Sequence, residues 1–137
     1  MTAAYQFPDP AERTPSILVV EFEVLIRLAI VQYLQECGFK VHGVRDAMEA
    51  IIALQSDIVT DLVLVDAKAP QEQDGFRLAQ WIRANWPELA LIIRPGETKT
   101  AEAARELCRN EPFLADPYDL QALVARIRRE LDAKKSG

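Results

Sequence analysis

Apolar and polar positions follow two rhythms along this chain. Short aliphatic runs recur at residues 16–20, 39–44, 62–65, 89–93 and 113–115. Runs of this length with few polar interruptions predict strands buried on both faces. Between them lie longer stretches with apolar residues three and four apart, the rhythm of helices with one buried stripe. They predict helices over about 23–37, from Asp46 past Leu54, over about 76–86, from Thr98 or Thr100 to about 109, and over about 119–131. Ala47, Ala50, Ile51 and Leu54 form the stripe of the second helix, and Leu120, Leu123, Val124, Ile127 and Leu131 that of the last. Punctuation agrees with the rhythm. Gly38 is placed as a left-handed cap, Asp46 with Glu49 as a capping box, and Pro87 as a helix stop.

Five β/α repeats predict an α/β fold. Right-handed crossovers put helices on both faces of a parallel sheet. The expected architecture is a three-layer, doubly wound, flavodoxin-like five-stranded sheet of order 2-1-3-4-5. The chain of 137 residues suits one domain. The expected division is a flexible tail over 1–14, the domain over 15–134 and a short tail over 135–137. In such sheets ligands sit beyond the carboxyl ends of the strands, at the switch point. Residues 21–23 and 66–68 then share one crevice, to which 94–96 and 116–117 contribute.

Composition narrows the classes. Half the residues are hydrophobic, yet no run reaches membrane-spanning length. Residues 5–15 are proline-rich and polar, unlike a signal peptide. A net charge of −5 argues against a nucleic-acid surface. Cys37 and Cys108 have no metal-ligand spacing and fall on helices expected on opposite faces of the sheet, so no disulfide is expected. A cytoplasmic protein, binding neither membrane nor nucleic acid, is the expectation. His42 reads as structural or exposed. Arg126, Arg128 and Arg129 read as a solvated face of the last helix or a partner surface.

Asp66 is the residue of greatest chemical interest. It closes the run Asp61-Leu-Val-Leu-Val-Asp66, where a carboxylate has no packing role. Phosphate acceptance, metal binding and nucleophilic attack are open to it. So is the plainer task of capping the next turn.

The order of motifs resembles that of bacterial response regulator receiver domains over about residues 16–134. Ile17-Leu-Val-Val-Glu-Phe-Glu-Val-Leu-Ile-Arg27 resembles their opening, and Asp61 to Asp66 their phosphoacceptor strand. Pro70 to Gly75 is similar to a Pro-x-x-x-Asp-Gly turn, and Phe113-Leu-Ala-Asp-Pro-Tyr118 to the Lys-Pro-Phe/Tyr segment. The resemblance implies a chemotaxis-type, stand-alone, non-enzymatic receiver in a two-component phosphorelay. Asp66 would be its phosphoacceptor and Phe113 its aromatic switch. A histidine kinase or another signalling protein would be the partner. A homodimer through the fourth helix, fifth strand and fifth helix is a further expectation.

The resemblance breaks at the chemistry. Family members carry two acids after the first strand; here Glu21 is followed by Phe22, which offers no oxygen to a hard cation. Glu23 is expected to point outward. The family's Ser/Thr after the fourth strand falls on Pro95 and its Lys after the fifth on Asp116. Glu21, Asp66 and the backbone carbonyl of Lys68 would hold Mg²⁺ weakly or not at all. Glu21, Asp66 and Asp116 would crowd one crevice, where like charges repel unless a cation intervenes. Lys68 ranks first as that cation and Arg94 second. Two readings follow: a receiver with impaired or absent phosphorylation, or a pseudo-receiver acting as an interaction or dimerisation module. An enzyme or cofactor carrier on this fold is a weaker third. Glu21-Phe-Glu-Val24 is no phosphate loop, and Lys68 stands where a dehalogenase-like hydrolase needs a second Asp.

Overall fold

A computed structural model describes residues 14–67, 72–95 and 120–136. The elements run β1 (Ser16–Val20), α1 (Val24–Glu36), β2 (Lys40–Val44), α2 (Ala47–Gln55), β3 (Leu62–Ala67), α3 (Glu72–Asn85), β4 (Ala90–Pro95) and α4 (Leu120–Ser136). The described strands form one parallel sheet of order β2-β1-β3-β4. This is the expected order without its fifth member. The helix expected over 98–109 and the strand over 113–115 lie outside the described residues, so α4 is the helix expected fifth.

Strand alternation sorts the core into two layers. Ile17 and Val19, Leu62 and Leu64, and Ala90 and Ile92 face one side. Ile30 and Leu34 of α1 and Leu123, Ile127 and Leu131 of α4 cover them. Leu18 and Val20, Val63 and Val65, and Leu91 and Ile93 face the other side. Ala50 and Ala53 of α2 and Leu78, Ala79 and Ile82 of α3 cover those. The result is a three-layer α/β unit. The stripes read from sequence in α2 and α4 are the faces that pack.

Local signals explain the boundaries. Gly38 has φ +99°, a left-handed conformation that costs glycine little, and it ends α1. Asp46 accepts the Glu49 N–H at 3.0 Å. Glu49 Oε1 accepts the Arg45 N–H at 2.9 Å, one residue before the usual capping-box partner. Gly43 lets α1 approach the edge strand. A Cβ there would stand 2.9 Å from Val31 Cγ2 and 3.3 Å from Arg27 Cγ.

Several boundaries differ from expectation. Helix α3 begins at Glu72 and takes in Asp74 and Gly75, read from sequence as part of a turn. Acidic residues at a helix start suit its positive end, and Gly75 is buried, a compensation for its low propensity. Strand β4 runs on to Pro95, and α4 runs past Leu131 to Ser136. The arginines of α4 are not a uniform solvated face. Arg126 is 3% exposed and bonds Glu130 at 3.0 Å. Arg128 lies 5.0 Å from the centre of the Phe39 ring and donates to the Cys37 carbonyl. Arg128 ties α4 to the segment between α1 and β2, while the Arg126–Glu130 pair lies within α4. Cys37 is a free thiol, His42 is exposed, and Cys108 lies outside the described residues.

Candidate functional site

The alternation that builds the α1/α4-side layer also builds the site. Continuing each apolar series by one position gives Ile17, Val19, Glu21; Leu62, Leu64, Asp66; and Ala90, Ile92, Arg94. The three polar residues therefore leave the same face of the sheet at its carboxyl edge. Register fixes their neighbours. Val20 pairs with Val65, so Glu21 follows beside Asp66. Asp66 itself pairs with Arg94.

Asp66 and Arg94 form a short ion pair. Arg94 Nη1 donates to Asp66 Oδ2 at 3.0 Å, with the two side chains only 9% and 3% exposed, respectively. Asp66 as a whole is half-buried, so its main chain rather than its carboxylate meets solvent. A pair removed from water this far is costly to break, because the partner left behind is a buried charge.

Glu21 is 1% exposed. Its Oε2 accepts the Glu23 N–H at 2.9 Å, which places a carboxylate at the start of α1. Its own N–H continues the sheet by donating to the Val44 carbonyl at 3.0 Å. Arg27 Nη1 donates to the Glu21 carbonyl at 2.9 Å and the Phe22 carbonyl at 3.4 Å. One turn of α1 thus clamps the loop that carries Glu21. Glu23 is exposed, as expected.

Phe22 does not pack beneath the crevice. It is 49% exposed, because it lies past the end of β1 and before α1 begins. It stands on the rim of a small cleft of about 20 Å³ that Arg45, Asp46, Asp66 and Asp74 also line. That volume is roughly the room of one water.

The other sequence candidates divide plainly. Pro95 ends β4 in register with Ala67. Lys68, Phe113 and Asp116 lie outside the described residues. The structure therefore brings Glu21 and Asp66 together and sets Arg94, ranked second among the cations, on Asp66. Arg27 was missed. Its signal was its place one turn into α1, four residues after Glu23, where a long donor reaches back over the preceding loop.

The described residues fit a divalent cation poorly. Such an ion asks for several oxygen ligands. Here Asp66 is engaged by Arg94, Glu21 serves the α1 start, and position 22 is a phenylalanine. Among the described residues no cluster of three or more His, Cys, Asp or Glu is arranged around a metal position.

A family model for the response regulator receiver domain matches residues 17–128. Among curated relatives, the regulatory protein VirG of Agrobacterium tumefaciens is 32% identical over 115 residues, covering 82% of this chain and 42% of VirG. A probable transcriptional regulatory protein of Picosynechococcus is 31% identical over 121 residues, 82% of this chain and 47% of that protein. The chain thus spans less than half the length of these relatives. Among solved structures, the signal receiver domain of an HD domain-containing protein from Pseudomonas fluorescens superposes with TM-score 0.80 at 29% identity. It covers 91% of this chain and all (100%) of that one.

Proposed function

Because this chain belongs to the response regulator receiver domain family, we propose that it is a two-component receiver whose phosphoacceptor position, Asp66, takes a phosphoryl group slowly or not at all. One observation carries this reading: the Asp66 carboxylate is buried and held by Arg94 at 3.0 Å. An acceptor must present a carboxylate oxygen in line with the incoming phosphorus, with cations or donors around the transferring group. Here one of the two carboxylate oxygens, Oδ2, is engaged by the Arg94 side chain. Pro95 and Asp116 add to the argument, since neither offers the donor a phosphoryl group needs. Mg²⁺ binding is weak on the same grounds.

Acting without phosphorylation, as an interaction module, is the second reading. It is favoured by the solvent face of α1, where Val24, Leu25 and Leu28 are 52%, 77% and 58% exposed. Apolar exposure on one helix face suits a protein partner. A histidine kinase or another cytoplasmic signalling protein is the partner class proposed, with a homodimer through the fourth helix and fifth strand expected from the sequence, together with α4, as the competing arrangement.

Acetyl phosphate with Mg²⁺, read by intact-protein mass and by amide shifts, tests the reading. The expected result is little or no added mass and an unchanged spectrum. Rapid stoichiometric labelling at Asp66 would overturn it. Labelling lost in Asp66→Asn would show that Asp66 is a working acceptor.

A further inference from the structure

The acidic end of this sheet carries a cation of its own. We infer that the Arg94 guanidinium is the resident cation of the centre, and that Arg94 and a divalent ion are mutually exclusive partners of Asp66. The inference deepens the reading above and rests on it, in that it takes this crevice for the receiver centre.

Backbone geometry makes the pairing a property of the fold. Asp66 and Arg94 are register partners on adjacent parallel strands, so both side chains leave the same sheet face from fixed positions. Their contact is 3.0 Å with side chains 9% and 3% exposed for Arg94 and Asp66. Arginine keeps its charge throughout the accessible pH range. The neutralisation of Asp66 therefore needs neither metal nor proton. A divalent ion reaching Asp66 would have to displace the guanidinium or lie a few ångströms from a fixed positive charge, and either is costly in a water-poor site.

The argument also runs in reverse. Without Arg94, the Asp66 carboxylate loses its buried arginine while Glu21 stays on the neighbouring strand end. A carboxylate released from an arginine is the oxygen donor that Mg²⁺ and Mn²⁺ take. Removing Arg94 should therefore raise metal affinity.

The test uses Mn²⁺ as the probe and paramagnetic broadening of amide signals as the readout, on the full chain. In the wild type, no saturable broadening should appear around the ends of β1 and β3 at submillimolar Mn²⁺. In Arg94→Met it should appear, with affinity higher by roughly tenfold or more. Asp66→Asn on the Arg94→Met background should abolish the gain. Equal affinity in wild type and Arg94→Met, or no gain in Arg94→Met, overturns the inference. If Arg94→Met does not fold, the Arg94 Nε–H signal of the wild type decides. Indifference to Mn²⁺ supports the inference, and saturable submillimolar broadening of that signal overturns it. Rapid phosphorylation of the wild type would sink the proposed function alone, because the Mn²⁺ comparison between the two chains stands apart from it.

Discussion

Leu64 and Asp66 lie two residues apart on the same face of β3, and their neighbours differ completely. Leu64 belongs to an apolar layer with Val19, Ile92 and Ile127. Asp66, one step further along the same series, is held by Arg94. The body of the sheet is stabilised by area removed from water, which is non-directional and forgiving of shape. At its carboxyl edge Asp66 and Arg94 are held by a buried contact between charges, which is directional and fails abruptly when one partner goes. A residue's place on a strand face therefore says which neighbours it meets, and its chemistry decides whether the site yields gradually or all at once.

The largest effect should come at the edge. Arg94→Met should lower stability by about 3–5 kcal/mol, because the buried Asp66 carboxylate loses its ion-pair partner. Adding Asp66→Asn should recover most of that loss. Urea unfolding of the four chains of the cycle measures the coupling. Additive losses would mean that the pair contributes nothing beyond its separate side chains, and the contrast with the sheet body would fall.

In the body, Leu64→Ala should cost about 3 kcal/mol, from lost transfer energy and a residual cavity. Leu64→Met, which nearly conserves volume, should cost less than about 1.5 kcal/mol. If both cost the same, packing in the body is as unforgiving as pairing at the edge. The same unfolding experiment decides it.

Further from the sheet, Asp46→Ala removes the acceptor for the Glu49 N–H and should cost about 1 kcal/mol. The smallest effect separates buried from exposed charge. Arg45 lies 3.4 Å from Glu49, but their side chains are 64% and 42% exposed. Arg45→Ala should change stability by less than about 0.5 kcal/mol, and added salt should shrink even that. A loss at Arg45 rivalling that at Arg94 would remove burial as the reason for the difference.

The comparison also shows where reading the chain worked. Strands over 16–20 and 62–65 were legible because aliphatic runs of that length are hard to place anywhere but between two layers. The buried stripes of α2 and α4 were legible because helical spacing is local. The start of α3 was misjudged at Asp74-Gly75. That pair is a common turn signal, and here tertiary packing buries Gly75 inside the helix. The exposure of Phe22 was not legible, because whether an aromatic past a strand end is covered depends on where the neighbouring helices begin.

By itself the sequence determined the alternation of strands and helices, the two-sided burial of the sheet, and the presence of Glu21 and Asp66 at strand ends. All of these depend on periodicities of a few residues and survive without knowledge of any partner. Only the tertiary structure decided which cation meets Asp66. Lys68, two residues away along the chain, was the natural choice from sequence distance. Arg94 is 28 residues away and becomes the partner because β3 and β4 lie in parallel register with Asp66 opposite it. Register is set by the packing of whole strands against helices on both faces, a non-local balance that no local pattern encodes.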